Sequence, residues 1–285
     1  MTYFQALIIG IFQGITELFP VSSLGHSVLL PGLLGWHIDQ SNPIFLTFLV
    51  ATHTATALVL FFYFFKDWRR ILSGMAQSLK ERDIQAGGLY GTLGWLLVVA
   101  TIPAGICGLL FQDVLQKLFA SPQIVAGFLI LNGFMLLGAD GLRKKRSAEK
   151  KSAAVDEHVT RLSWPQAIKV GCAQILALIP GFSRTGSTIG GGLAVGLSYE
   201  DAARFSFLLA TPIIGAASLL KVPELFTTPG EIAFLGPTLL GAVVAGFFAY
   251  CSVRFLLKYF ESKKLWPFGV YCIAVGAIAS LIFLR

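Results

Sequence analysis

The sequence predicts an all-α, polytopic membrane protein that is built as an internal repeat. Of its 285 residues, 55% are hydrophobic and only 13% are charged, and the mean hydropathy is +0.74. Soluble globular domains carry about twice that share of charged residues, roughly 25%. Together with the spacing of the apolar runs, this composition leads us to expect six transmembrane helices plus two re-entrant helical hairpins in an inverted-topology repeat. All of them belong to a single integral membrane domain.

Six apolar runs have the length of about 20 helical residues that a hydrocarbon core of ~30 Å requires. The predicted spans are Pro43 to Phe65, Leu89 to Phe111, Pro122 to Leu142, Asp201 to Leu220, Phe234 to Leu257 and Pro267 to Leu284. Two further apolar segments, Tyr3 to Trp36 and Trp164 to Leu197, are each interrupted by a loop of proline, glycine and serine. Non-helical backbone at membrane depth is tolerated only where protein buries it or water fills a cavity. We therefore expect the two breaks to face each other across a pocket, although Tyr3 to Phe19 is also long enough to span alone.

The positive charges indicate the orientation. Most of the 22 lysine and arginine residues follow the first, third and fifth spans. By the positive-inside rule these three loops are cytoplasmic, and the other loops and the C-terminus lie outside. The net charge of +7 is then explained without a nucleic-acid partner, and no nucleic-acid motif is visible. The four cysteines lie inside apolar runs without metal-ligand spacing, so they are predicted to pack rather than to form disulfides.

Two halves of the chain share a pattern. Four matching residues or segments occur in the same order in both halves, and the members of each pair are separated by nearly the same number of residues. The pairs are "TFLVATH" (Thr47 to His53) with "SFLLATP" (Ser206 to Pro212), Gln13 with Gln174, Pro20 with Pro180, and Ser23 with Ser183. The halves are predicted at about 1–142 and 164–285, joined by a cytoplasmic linker at about 143–163. Because the two copies enter the membrane from opposite sides, the repeat is inverted, and a binding site is expected near the midplane where the broken helices meet.

The first break, "ITELFPVSSLGH", gathers polar residues in an apolar chain. Gln13 and Glu17 are four residues apart on a helix predicted to end near Pro20, so they share a face. Ser23 and His26 follow the proline. An ionisable group inside a membrane is by default a candidate for function. A carboxylate there can bind a divalent cation or act as a base, and a Ser/His pair can supply a nucleophile and a proton acceptor, or an acid for the leaving group.

The second break, "PGFSRTGSTIGGG", has one cation, Arg184, among hydroxyls and glycines. The guanidinium offers a fork of donors that suits phosphate. Gly181 and Gly186 let backbone amides approach an anion, and a helix predicted to start near Ser187 would point its positive end at the loop. The second break therefore predicts a phosphate site beside the carboxylate of the first.

Structural alternatives exist for each of these residues. Glu17 and Arg184 are also explained as a buried structural ion pair, and His26 and His53 as hydrogen-bonded core residues. Hydroxyls in the breaks serve equally as helix caps; these are Ser22, Thr185 and Ser187. Arg204, near the inner end of its span, is explained by snorkelling. The rival function is a transporter, because inverted repeats with broken helices are typical of carriers. A carrier of an anionic lipid would use Glu17 and Arg184 as a gate and needs no nucleophile.

The motifs "QGITELFPVSSLGH" and "PGFSRTGST" closely resemble the two signatures of the undecaprenyl-diphosphate phosphatase family, also called the bacitracin-resistance family. The likeness runs over nearly the whole chain. It implies an inner-membrane enzyme of bacterial envelope synthesis that hydrolyses undecaprenyl diphosphate to undecaprenyl phosphate and inorganic phosphate. It also implies an assembly that is often a homodimer, a divalent cation (Mg²⁺, Ca²⁺ or Mn²⁺) and an active site that opens to the periplasm.

Carried over by position, the resemblance gives the candidate residues roles. Glu17 would bind the metal or activate the nucleophile, Ser23 is the candidate nucleophile, and His26 would transfer the proton. Arg184 would clamp the diphosphate. The residues expected to help bind the substrate are Gln13, Ser22, Gly181, Ser183, Gly186 and Thr188. Two departures matter: Gln13 stands where many members carry a second Glu, and Leu24 replaces a small hydroxyl residue. The region around His53 also departs from the family pattern, so the resemblance assigns no role to His53.

Overall fold

The computed structural model describes residues 1–39, 42–111, 114–115, 121–146, 162–221, 223, 234–262 and 264–284. Within them the chain is helical and forms no strand. The helices are α1 (Tyr3–Thr16), α2 (Ser23–Leu33), α3 (Pro43–Tyr63), α4 (Phe65–Glu81), α5 (Gly88–Leu110), α6 (Pro122–Arg146), α7 (Trp164–Gln174), α8 (Arg184–Ala194), α9 (Tyr199–Lys221), α10 (Leu235–Phe260) and α11 (Trp266–Phe283). Short 3₁₀ helices occupy Gln85–Gly87 and Ile175–Leu178.

Six of the described helices are long and apolar enough to cross a membrane. They are α3, α5, α6, α9, α10 and α11, and they coincide with the six predicted spans to within a few residues at each end. The predicted all-α, multi-pass architecture is therefore confirmed. Most of the predicted linker, residues 147–161, lies outside the described residues, as do 116–120 and 224–233 of the loops predicted to lie outside.

The same order of elements occurs twice. Each half begins with a short helix, a break and a second short helix, and continues with three long helices; α4 is an addition to the first half. The packing crosses between the halves, since α1 lies against α10 and α7 lies against α5. In addition α3 packs on α9 and α6 packs on α11, so corresponding helices of the two halves meet. The breaks are thereby enclosed by long helices from both halves.

Capping residues determine where the broken helices end and begin. Helix α1 ends at Thr16, before Pro20, with Glu17 as its C-terminal cap residue. Helix α2 begins behind Ser22, whose hydroxyl accepts the Gly25 amide at 3.1 Å. In the second half Ser183 caps the helix in the same way. Helix α8 consequently begins at Arg184 and not near Ser187, which corrects the predicted start.

Helix α4 was not predicted from the sequence. The basic segment after the first span forms an amphipathic helix that buries Trp68 and Ile71 and packs on α5. Its Asp67 accepts a hydrogen bond from Arg204 of α9 at 3.0 Å. Arg204 therefore pairs with a carboxylate of the same molecule, and the snorkelling expected of it stays a prediction.

Helices α1 and α10 approach closely where two glycines face each other. A methyl group at Gly10 would lie 2.6 Å from the carbonyl oxygen of Gly241. We expect Gly10→Ala to destabilise the protein by about 1–3 kcal/mol, because the two backbones would have to separate. The measurement is the melting temperature of the purified protein in detergent. Gly105→Ala is the matched control, since nothing lies within 4 Å of a methyl group there. Equal melting of both variants would contradict the close approach.

Candidate active site

The two breaks lie against each other, as the sequence predicted. Thr185 Oγ1, in the first turn of α8, donates to the carbonyl oxygen of Glu17 at 3.0 Å. Asn132 of α6 bridges both loops: its Nδ2 donates to the Pro20 carbonyl at 3.1 Å, and its Oδ1 accepts the Ser183 amide at 3.0 Å. Because Asn132 is fully buried, these bonds fix the position of one break relative to the other.

The Glu17 carboxylate is the centre of the site. It is 5% exposed and accepts the Gln13 Nε2 bond at 3.1 Å, which confirms that these two side chains share a helix face. Ser23 Oγ donates to the same carboxylate at 2.5 Å. Arg184 Nη2 pairs with its other oxygen at 2.9 Å. The structure therefore joins the predicted base, nucleophile and phosphate ligand through one side chain.

His53 completes the cluster, although no role was predicted for it. Its Nε2 lies 3.1 Å from Glu17 Oε2, and its Nδ1 lies 2.7 Å from the Leu49 carbonyl oxygen. Since both neighbours are acceptors, the ring that satisfies them carries a proton on each nitrogen. The repeat partner of His53 is Pro212, so the second half has no counterpart to this side chain. A titratable side chain inside an apolar span was the available signal.

Part of the Arg184 guanidinium has no hydrogen-bond partner in the described part of the chain. Its Nη1 donates to the Ser206 carbonyl at 3.2 Å and its Nη2 to Glu17. Its Nε is buried and has no partner among the described residues. A guanidinium carries five N–H donors in a planar fork, so part of this fork is free for an anion. With His53 as the imidazolium, one anion and two cations give the cluster a formal charge of about +1.

The cluster opens onto a cavity of about 250 Å³. Its polar lining contains five of the predicted residues together with His53 and Gln174; the five are Glu17, Ser22, Ser23, Ser183 and Arg184. The remaining lining is apolar and comes mainly from α3, α9 and the segment 177–182. A purely structural ion pair does not require such a cavity. The arrangement can bind an amphiphile whose charged head meets Arg184 and whose chain follows the apolar side.

His26 does not join the cluster. Its Nδ1 lies 2.7 Å from the Ser22 carbonyl oxygen and its Nε2 lies 2.8 Å from the Tyr271 hydroxyl. The ring also stacks on Tyr271, with the ring centroids 5.7 Å apart. Both nitrogens are thus engaged away from Ser23 and Glu17. The structure matches the alternative in which His26 is a hydrogen-bonded core residue, and the proton transfer predicted for it is not part of our mechanism.

Gln13 lies off the cavity lining as well, and so do three predicted ligands of the second break. Thr188 Oγ1 is bonded to Ser206 Oγ at 2.5 Å. The Gly186 amide donates to Ser183 Oγ at 3.1 Å, so it serves the helix cap. Gly181 has a φ of 108°, and a methyl group there would lie 2.6 Å from the Val125 carbonyl oxygen. These residues shape the second break, and none of them lines the cavity.

Asn132 supplies a test of how the breaks are held. We expect Asn132→Leu to lower the melting temperature in detergent, because the buried Ser183 amide and Pro20 carbonyl would each lose a partner, at about 1–3 kcal/mol apiece. Gly138→Ala, on the same helix and with nothing within 4 Å of the added methyl group, should melt no lower than the unsubstituted protein. If the two variants melt alike, the bridge between the breaks does not stabilise the fold.

Comparison with known proteins places the chain in a family. The sequence model described as bacitracin resistance protein BacA matches residues 6–278. An undecaprenyl-diphosphatase of Mycolicibacterium paratuberculosis is 44% identical over 303 aligned residues, covering 100% of this chain and 98% of that protein. Undecaprenyl-diphosphatase 2 of Chromobacterium violaceum is 45% identical over 284 residues, covering 99% of each chain. With such likeness over its whole length, the chain belongs to the bacitracin resistance protein BacA family.

Proposed function

We propose that the protein hydrolyses undecaprenyl diphosphate to undecaprenyl phosphate and inorganic phosphate, the activity for which its relatives are named. One observation carries the proposal. The Ser23 hydroxyl donates at 2.5 Å to the Glu17 carboxylate, and Arg184 pairs with that carboxylate at the wall of the same cavity. A nucleophile, a base and a phosphate ligand are the groups that phosphoryl transfer needs.

In the proposed mechanism Ser23 Oγ attacks the terminal phosphorus while Glu17 accepts the hydroxyl proton. A bond forms between Oγ and phosphorus, and the bond from phosphorus to the bridging oxygen breaks. Undecaprenyl phosphate leaves with the bridging oxygen. The leaving lipid phosphate takes up the proton held by Glu17, so the carboxylate is a base again. Water then attacks the phosphoserine and gives a proton to Glu17, and Ser23 Oγ recovers that proton as inorganic phosphate is released. The alternative is direct attack by a water with Glu17 as its base.

Charge stabilisation in this mechanism comes from Arg184, His53 and two helix N-termini. Ser23 and Arg184 are the first residues of α2 and α8, so the positive ends of both helix dipoles lie at the site. Fixed donors around a phosphoryl group stabilise the charge that develops in the transition state. His53 Nε2 lies 3.1 Å from Glu17 Oε2 and holds this oxygen in place.

A divalent cation is part of the proposal. The described residues contain no cluster of three or more His, Cys, Asp or Glu side chains, so a site made of protein ligands alone does not fit them. A site shared with the substrate does fit, because Mg²⁺ commonly binds one or two protein oxygens plus phosphates and water. Glu17 would supply one oxygen, and Gln13 Oε1, buried without a partner among the described residues, the other. A bound cation would offset the charge of the diphosphate.

We also propose where the site lies in the membrane. We place the six spans in the bacterial inner membrane, with both breaks as re-entrant hairpins and the basic loops in the cytoplasm. The cavity would open toward the periplasm. The apolar lining would receive the first part of the prenyl chain. The homodimer that the resemblance implies stays a prediction.

Ser23→Ala tests the nucleophile. We expect roughly a thousandfold loss of turnover with retained lipid binding, because the attacking atom is removed and the phosphate ligands stay. The measurement is single-turnover phosphate release from undecaprenyl diphosphate in detergent. Ser27→Ala is the matched control, since this buried hydroxyl has no partner in the described part of the chain and does not line the cavity. Substantial activity in Ser23→Ala would favour direct attack by water.

Arg184→Ala and EDTA test the function as a whole. We expect the purified protein to release phosphate, EDTA to stop the release, and added Mg²⁺ to restore it. Arg184→Ala should lower the rate about a hundredfold or more, as the loss of a preorganised donor does elsewhere. Arg69→Ala, an exposed change on α4, should keep the rate. If well-folded protein released no phosphate with any divalent cation, the lipid carrier would become the better assignment.

A further inference from the structure

Gln174 is the repeat counterpart of Gln13, but its surroundings differ. It is the last residue of α7, only 2% exposed, and it lines the cavity with Ser23 and Arg184. Gln13 donates to Glu17 at 3.1 Å. Neither the oxygen nor the nitrogen of the Gln174 amide has a hydrogen-bond partner among the described residues.

An unpaired amide in such a place needs an explanation. Most buried polar side chains are hydrogen-bonded, because a lost bond to water is otherwise not replaced. Leu or Met would fill the same space without that cost. The position therefore fits an amide whose hydrogen-bond partner is a molecule bound inside the cavity. Unlike a cation, an amide can donate to a phosphate without adding a charge that would retain the product.

The position of Gln174 indicates which part of the ligand it meets. Its amide makes no hydrogen bond to the side chains around Glu17. It lies one helical turn before Ala177 and Leu178, which belong to the apolar lining of the cavity. In a lipid diphosphate, the phosphate nearest the chain is the group that follows the terminal phosphate toward an apolar wall.

We propose that Gln174 binds the proximal phosphate of the substrate, the one that stays on the prenyl chain. Its Nε2 donates to a non-bridging oxygen of that phosphate, while its Oε1 accepts from a water in the cavity. Gln174 is then a substrate-binding residue that sets the distance between the lipid and the terminal phosphorus facing Ser23. This inference rests on the proposed hydrolysis.

The test compares Gln174→Met and Gln174→Leu with Gln77→Met, an exposed control on α4. Turnover of undecaprenyl diphosphate is measured together with inhibition by polyprenyl monophosphate and by inorganic phosphate. We expect kcat/KM to fall about tenfold or more, as for the loss of a hydrogen bond to a charged group. Inhibition by the monophosphate should weaken by about the same factor, and inhibition by inorganic phosphate should stay within about twofold. Melting temperatures should not fall, because no bond within the protein is lost.

Two results would overturn the inference. Unchanged inhibition by the monophosphate would mean that water alone satisfies the amide. Weaker inhibition by inorganic phosphate with unchanged inhibition by the monophosphate would move Gln174 to the terminal phosphate. The proposed hydrolysis fails separately, if the unsubstituted protein releases no phosphate. Direct binding of polyprenyl monophosphate to the unsubstituted protein and to Gln174→Met would still test the contact.

Discussion

The buried carboxylate of Glu17 is the group on which the arrangement depends. A charge removed from water is costly unless cations and hydrogen-bond donors surround it closely. Those donors come from separate elements: Ser23 begins α2, His53 lies in α3, and Arg184 begins α8. No single helix could present all of them to one carboxylate. The crossing of the two halves, with the breaks enclosed by long helices of both halves, therefore brings Arg184 to Glu17 and helps to keep the buried carboxylate ionised.

The two breaks are related by the repeat but have diverged in a way that matters for chemistry. In the second half Ser183 is the cap residue, and its hydroxyl accepts the Gly186 amide. In the first half the cap is Ser22, the residue before the serine that matches Ser183. Ser22 caps α2 with a left-handed φ of 68°, so the hydroxyl of Ser23 is released to donate to Glu17. A shift of one residue in the cap thus separates a structural serine from a candidate nucleophile.

Much of this could be predicted from the sequence, and the remainder has identifiable causes. Spans and breaks follow from hydrophobic length and from Pro and Gly, and the Gln13 and Glu17 contact follows from helix periodicity alone. The contacts of His26 could not be predicted, because they depend on Tyr271, far along the chain. Asn132 carries no motif, and its role appears only when α6 lies beside both breaks. Helix α4 was missed because its charges were interpreted as a loop, although its buried residues recur at helical spacing.

The charge balance of the cavity favours hydrolysis of a lipid diphosphate over transport of an anionic lipid. With Arg184 and His53 facing one carboxylate, the site attracts a polyanion, and the attraction is strong in a medium of low dielectric constant. A diphosphate gains more from this field than the monophosphate left on the lipid after cleavage, so hydrolysis itself weakens the hold on the product. A carrier would have to release an unchanged headgroup from the same field. It would also have no use for the hydrogen bond from Ser23 to Glu17, which aligns a hydroxyl with its proton acceptor before any ligand arrives.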